Sequence, residues 1–278
     1  MTSKPDHWSS AAYSSSASFV PQLTTKVTKL FAPRPGENII DLGCGDGVLT
    51  AQLSPGLGQV LGLDASPAMI RAAQDAEHSK NLTYAVHDCA ALRGQEGVES
   101  RWGKWDGVFS NAALHWVLRS EEARRGLFED CFGALKQGGR LVFEMGGKGN
   151  VAEVHAAIVA GLVARGGVDV EKARESIPWF FPSEVWMKER LEKAGFKVEV
   201  CEMEYRPTKL NPENKEGSGG LEGWVRLMAA PCLAVVEEGK KDDVVRMVCD
   251  VLRGVITREE DGSQWIGYVR LRAVAVKP

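Results

Sequence analysis

The sequence has no large excess of charge, no closely spaced cysteine pair and no apolar run long enough to cross a membrane. Its formal net charge is −3 over 278 residues, which argues against an electrostatic surface for nucleic acid. None of the six cysteines has Cys-x-x-Cys spacing, so we predict reduced thiols and no metal site. The first thirty residues contain no arginine and no long apolar core, unlike a targeting peptide. We therefore expect a cytoplasmic protein that binds neither nucleic acid nor membrane.

Two common catalytic signatures are also missing. The chain has no Gly-x-Ser-x-Gly nucleophile turn and no Walker phosphate-binding loop. These absences argue against the hydrolases that carry the first signature and the nucleotide hydrolases that carry the second.

A glycine-rich turn near the amino terminus carries the main functional signal. The apolar stretch 39–42 is followed by Gly43, Gly45 and Gly47, and then by a helical stretch over 48–53. Glycine lets a ligand approach the backbone closely, as in folds that bind nucleotide cofactors. Asp41 at the strand tip would repel a pyrophosphate but suits a cofactor with cationic groups and no phosphate. The turn, including Cys44, therefore favours S-adenosylmethionine, which has an ammonium and a sulfonium.

Strands and helices alternate after this turn, which predicts a mostly parallel, Rossmann-like α/β sheet with helices on both faces. The predicted strands are 38–42, 59–63, 82–86, 105–110, 140–145, 197–204 and 264–276. The main predicted helices are 18–31, 48–53, 67–73, 121–135, 150–165, 183–194, 221–230 and 240–257. We divide the chain into an N-terminal segment over the cofactor (1–35), a core (36–204), a helical cap inserted between the last two strands (205–263) and the last core strand (264–278).

Further cofactor candidates follow the second and third strands. Asp64 is expected to accept hydrogen bonds from ribose hydroxyls, and either Asp64 or Ser66 could cap the next helix. Asp88 is the expected acceptor for an adenine amino group, and Cys89 would offer its backbone N–H to the ring. Two more residues, Ala65 and Met69, are predicted to pack on the faces of the adenine.

The end of the fourth strand supplies candidates for the methyl-transfer end of the site. Asn111 is predicted to contact the methionine part of the cofactor. His115 could bind substrate or take up a proton near neutral pH, with Trp116 beside it. Near the amino terminus, Trp8 and Tyr13 could place aromatic faces beside a sulfonium; we assign Tyr13 to the cofactor and Trp8 to the substrate.

These motifs together resemble the class I S-adenosylmethionine-dependent methyltransferases. The matching segments are 41–47, 63–69, Asp88 and 135–141. A narrower resemblance, to the trans-aconitate methyltransferase family, is based on Ser110-Asn111-Ala112-Ala113-Leu114-His115-Trp116-Val117 and on short agreements near residues 8–13, 181–183, 206–208 and 223–226. Malonyl-carrier-protein methyltransferases look similar too.

The resemblance implies a seven-stranded sheet whose last strand is antiparallel, and methylation of a carboxylate oxygen with S-adenosylhomocysteine as product. A carboxylate substrate needs no base but needs anchors, for which His115, Trp116, Arg206 and Arg226 are candidates. A hydroxyl acceptor would instead need a base, with His115 as the first choice. Two other hypotheses stay open, a Rossmann-type oxidoreductase and a non-catalytic partner of another methyltransferase. The acceptor is expected to be a small molecule, and the oligomeric state is left open.

Overall fold

The computed structural model describes residues 8, 24–76, 79–212 and 219–278. A seven-stranded sheet has the order β3-β2-β1-β4-β5-β7-β6. Its strands are β1 Ile39–Leu42, β2 Val60–Asp64, β3 Leu82–Val86, β4 Trp105–Asn111, β5 Leu135–Gly146, β6 Lys197–Lys209 and β7 Trp265–Val276. Strands β1 to β5 pair in parallel, and β7 runs antiparallel to β5. The predicted fold, including the reversed last strand, is confirmed.

Helices follow most of the strands. They are α1 Thr25–Phe31, α2 Val48–Leu53, α3 Pro67–Asp75, α4 Glu96–Glu99, α5 Leu114–Val117, α6 Glu121–Ala134, α7 Ala152–Ala164, α8 Val170–Glu175, α9 Glu184–Lys193, α10 Gly220–Met228, α11 Ala230–Leu233 and α12 Lys241–Ile256, with a 3₁₀ turn at Glu238–Lys240. The sequence did not predict the short helices α4, α5, α8 and α11. Strand β6 is longer than predicted, and the first predicted helix is described only from residue 25.

Neighbouring residues on the central strands point to opposite faces of the sheet, and helices cover both faces, so both sets of side chains are buried. Ile40 and Val108 pack on one side with side chains of α6 and α9. Ile39 and Phe109 pack on the other side with side chains of α1. The central strands therefore bury apolar side chains on both faces, and Asp41, Asp64 and Asn111 lie at or near the carboxyl ends of their strands.

The start of α3 follows the predicted capping pattern. Ser66 Oγ accepts a hydrogen bond from the backbone N–H of Met69 at 3.1 Å, and Pro67 occupies the first turn, where its missing N–H costs nothing. The cap fixes the direction in which the chain leaves the tip of β2.

The chain divides into two compact units. The sheet unit comprises described residues of 24–148, 180–204 and 270–278, and the helical unit comprises those of 149–179 and 205–269 together with Trp8. The described residues of the predicted cap 205–263 belong to the helical unit. That unit also contains 149–179, which the sequence had assigned to the core.

Close packing of α7 on α12 accounts for part of this difference. A Cβ atom added at Gly161 would lie 2.8 Å from Cγ2 of Val248, so the missing side chain lets the two helices approach. Within the described part of the chain, no helix combines the length and the apolarity that a membrane span requires.

Candidate cofactor and methyl-transfer site

The glycine turn after β1 is open on one side only. Gly43, Gly45 and Gly47 have φ angles of 74°, 57° and 77°, a region that favours glycine. A Cβ at Gly43 would lie 2.1 Å from Cβ of Ala113, and one at Gly47 would lie 2.4 Å from Oη of Tyr84. At Gly45, in contrast, no atom of the described residues lies within 4 Å of that position. The backbone at Gly45 is thus accessible to a ligand.

Asp41 is a buried carboxyl at the end of β1. Its Oδ2 accepts a hydrogen bond from Oγ1 of Thr50 at 2.7 Å, and its residue surface is only 3% exposed. Burial raises the pKa of Asp41 to about 7; the charge of Asp64 adds to the rise and the Thr50 bond opposes it. A cation brought beside Asp41 would favour the ionised form. The carboxyl therefore suits a cationic ligand that binds near neutral pH.

Asp64 connects the glycine turn to the helix after β2. Its Oδ2 accepts from the backbone N–H of Gly45 at 3.0 Å, and its Oδ1 accepts from the N–H of Ser66 at 2.9 Å. A carboxylate has about four acceptor positions, so these bonds are compatible with the predicted contact to ribose hydroxyls. The two bonds hold Asp64 beside the turn.

The predicted adenine-binding residues follow β2 and β3. Asp88 is exposed, and its Oδ1 accepts from the N–H of Ala90 at 3.0 Å. Cys89 is buried, which raises the pKa of its thiol. Ala65 is exposed and Met69 is buried. Their assignment to the adenine stays a prediction.

The end of β4 holds a buried acceptor that the described residues leave without a partner. Oδ1 of Asn111 is buried and accepts no hydrogen bond from them. The next residue, Ala112, has a φ of 56°, and its N–H donates to the carbonyl of Glu144 at 2.8 Å. An unsatisfied buried acceptor costs about 1–3 kcal/mol. A ligand with an N–H or O–H donor at this strand end would recover that cost.

His115 on α5 is held by its backbone and its ring. Its carbonyl accepts from the N–H of Phe180 at 2.9 Å, and its Nδ1 lies 3.4 Å from the backbone nitrogen of Gly146, which donates to it. Ring centroids of Trp116 and Phe181 lie 5.7 Å and 5.6 Å away. With Nδ1 acting as acceptor, the imidazole proton is assigned to Nε2.

The structure argues against His115 as a proton acceptor near neutral pH. The ring is buried, and this desolvation, followed by the charge of Arg270, lowers the pKa of His115 to about 3. With Nδ1 as acceptor, the neutral ring would donate from Nε2. The catalytic or substrate-binding role of His115 stays a prediction.

The other predicted substrate residues have less defined roles. Trp116 and Trp8 are half-buried, whereas Tyr13 lies outside the described residues. Arg206 lies on β6 in the helical unit. Arg226, in the same unit, pairs with Glu222 at 2.8 Å and Asp242 at 2.7 Å. The contacts thus group the candidates at the ends of β1 and β2, while the substrate assignments of Trp8, Arg206 and Arg226 stay predictions.

Sequence reasoning missed three residues that shape the site. Thr50 bonds Asp41, Oη of Tyr84 donates to the carbonyl of Gly47 at 3.1 Å, and Arg270 acts on His115. Of these three residues, Arg270 had a signal in the sequence, because Arg270 and Arg272 occupy alternate positions within a mostly apolar predicted strand. Buried arginines at such spacing need acidic partners.

Comparison with known proteins gives the class. Residues 39–139 match the family described as a methyltransferase domain. An uncharacterized methyltransferase of Schizosaccharomyces pombe, C70.08c, is 37% identical over 272 residues, which cover 98% of each chain. A trans-aconitate 2-methyltransferase of Deinococcus radiodurans is 29% identical over 90% of each chain. A Haemonchus contortus phosphoethanolamine N-methyltransferase 2 structure with S-adenosylhomocysteine aligns with a TM-score of 0.54 at 22% identity, covering 92% of this chain and 52% of that one.

The chain belongs to the class I S-adenosylmethionine-dependent methyltransferases. It is an enzyme of that class, and its cofactor is S-adenosylmethionine. The residues present fit this group: the turn is open at Gly45, Asn111 presents an unsatisfied acceptor, and Asp41 is a carboxyl suited to a cation.

Proposed function

We propose that the enzyme methylates a carboxylate oxygen of a small-molecule acid. The observation that carries the proposal is the contact of the buried His115 ring, which accepts the N–H of Gly146 at Nδ1 and so has its proton assigned to Nε2. A carboxylate is already anionic and requires a hydrogen-bond donor rather than a base. A hydroxyl acceptor would need a base, and an imidazole whose pKa is lowered to about 3 is a poor one.

The chain's residues would divide the binding work. Asp41 and Asn111 would hold the charged methionine part of the cofactor, and Asp64 and Asp88 the adenosine part. When bound, the cofactor supplies an electrophilic methyl group on a sulfonium. The protein then has to align the acceptor oxygen and exclude water, and alignment alone accounts for several kcal/mol of a typical barrier. His115 would orient the acceptor through Nε2–H.

The trans-aconitate 2-methyltransferase of D. radiodurans supports a carboxylate acceptor. Methylation of a hydroxyl group on a secondary metabolite is the alternative. Arg206 and Arg226 are proposed to contribute to the choice of substrate.

A methyl-transfer screen with labelled S-adenosylmethionine tests the proposal. The panel pairs small carboxylic acids, trans-aconitate among them, with phenols and alcohols of similar size. We expect the label in methyl esters that alkali hydrolyses, and none in alkali-stable ethers. If the label appears in ethers and not in esters, the proposed carboxylate acceptor is wrong and the hydroxyl acceptor takes its place.

His115→Ala is the matching variant. Without the Nε2 donor, kcat is expected to fall by about tenfold or more, while affinity for S-adenosylhomocysteine is unchanged because other residues hold the cofactor. Unchanged turnover would remove His115 from the mechanism.

A further inference from the structure

The contacts of His115 lead to a charged pair on the two neighbouring strands. Gly146, whose N–H donates to the ring, is the last residue of β5 and lies directly opposite Arg270 on β7. Nε of Arg270 donates to Oε1 of Glu144 at 3.1 Å. Arg270 and Glu144 are 5% and 1% exposed at their side chains. A buried charged pair therefore lies next to the backbone that holds the ring.

Among the described residues, three elements besides α5 supply groups that contact His115 or act on its ring. β5 supplies Gly146, β7 supplies Arg270, and the segment before α9 supplies Phe180 and Phe181. Of these groups Arg270 is charged, and Glu144 is its ion-pair partner. A cation near a buried imidazole opposes its protonation.

We infer that Arg270, fixed by Glu144 and lying opposite Gly146, is a positioning residue that holds the backbone N–H bound to Nδ1 of His115 and so directs Nε2–H to the methyl acceptor. This positioning role of Arg270 depends on the proposed function for one point, the chemical identity of the methyl acceptor. The state of the ring follows from the apoprotein's own contacts. The positive charge that opposes a protonated ring also favours an anionic acceptor over a neutral one.

Arg272 provides a matched comparison. It lies two residues further along β7, opposite Glu144, and its Nε donates to Oε2 of the same carboxylate at 2.5 Å. Its Nη2 also lies 2.6 Å from Oε2 of Glu204 on β6. Because Arg272 would still pair with Glu144, Arg270→Gln does not leave that carboxylate alone. Arg272→Gln in turn perturbs the same ion-pair network on the side of β6.

The test is a ¹⁵N NMR titration of histidine-labelled full-length protein, with His115 assigned by its loss in His115→Gln. In the wild type we expect a neutral ring with its proton on Nε2 from about pH 5 to about pH 8. In Arg270→Gln we expect the ring to become protonated at a higher pH than in the wild type, or to lose the single tautomer. Arg272→Gln is expected to lose stability yet leave the His115 signal unchanged.

Activity gives a second readout. For the acceptor found by the screen, Arg270→Gln is expected to lower kcat by roughly tenfold through misplacement of the donor, with unchanged affinity for S-adenosylhomocysteine. Arg270→Lys keeps the charge, so the ring should stay neutral, its Nε2 resonance should shift and kcat should fall less.

The positioning role of Arg270 would be overturned if the His115 resonances in Arg270→Gln were the same as in the wild type. It would also be overturned if Arg272→Gln changed those resonances as much as Arg270→Gln does. If Arg270→Gln does not fold, an unshifted Nε2 resonance in Arg270→Lys overturns it as well. The NMR result is independent of the acceptor, so a screen that yields no ester contradicts the proposed function and not this inference.

Discussion

At the scale of single residues, the protonation of Asp41 determines how the site responds to pH. Its pKa is raised from 3.8 to about 7 in the folded protein, so folding without ligand favours the neutral form. Its contribution to stability is complete below about pH 3.8 and is lost as the pH rises through about 7. A bound ammonium instead favours the ionised form of Asp41, because it interacts with the carboxylate.

We therefore predict that affinity for S-adenosylhomocysteine rises as the pH increases through about 7 and that binding releases a proton from Asp41. Calorimetry in two buffers of different ionisation enthalpy measures both effects. In Asp41→Asn the affinity should fall about 10- to 100-fold, the equivalent of one charged hydrogen bond, and this pH dependence should disappear. A variant that kept the wild-type pH profile would assign the titration to another group.

Gly45 gives a second prediction, about access to the turn. Gly45→Ala should cost about 1 kcal/mol of stability, because its φ is 57°, and should weaken cofactor binding at least about tenfold because the methyl group occupies the open side. Gly36→Ala is the control, since Gly36 has a φ of 80° and no described atom within 4 Å of its Cβ position. Chemical denaturation and calorimetry measure the two effects. Equal losses of affinity in both variants would contradict the predicted role of Gly45.

The sequence was sufficient to place Asp41 and Asp64 near the ends of β1 and β2, because each directly follows a run of apolar strand residues. It could not predict that Asp41 bonds Thr50 or that His115 is neutral. Both properties depend on how deeply a side chain is buried and on which charge lies beside it. Those quantities are set by contacts between distant parts of the chain.

At the scale of secondary structure, the βα units were predictable because their signals are local. A strand, a turn and a capped helix such as α3 occupy adjacent residues, so apolar pattern and capping chemistry suffice. Helices of four residues, such as α4 and α5, have too few positions to show a period. β7 was predicted, but its ion pairs with β5 were not, because pairing joins residues 126 and 128 positions apart.

The packing of α7 on α12 gives a third prediction, which concerns the helical unit. Gly161→Val should lower the free energy of unfolding by about 1–3 kcal/mol, because the new side chain meets Val248. Gly254→Val is the control on α12, where no described atom lies within 4 Å of the Cβ position. Urea denaturation compares the two. A Gly254→Val variant as unstable as Gly161→Val would show that helix propensity, rather than the close approach, accounts for the effect.

At the scale of the whole molecule, the seven-stranded sheet with its reversed last strand was predictable from the resemblance, whereas the membership of the units was not. Residues 149–179 precede β6 and lie within the range assigned to the core, yet they belong to one compact unit with described residues of 205–269. Grouping of this kind joins segments that are distant in sequence, and only long-range packing reveals it.

We expect acidic groups at the ends of β1 and β2 to bind the cationic, phosphate-free adenosine cofactor. Isothermal titration of the protein with S-adenosylmethionine, S-adenosylhomocysteine and NAD tests this expectation. We predict saturable binding of the first two, weakened in Asp41→Asn, and no measurable binding of NAD. Binding of NAD without binding of either adenosyl compound would contradict it.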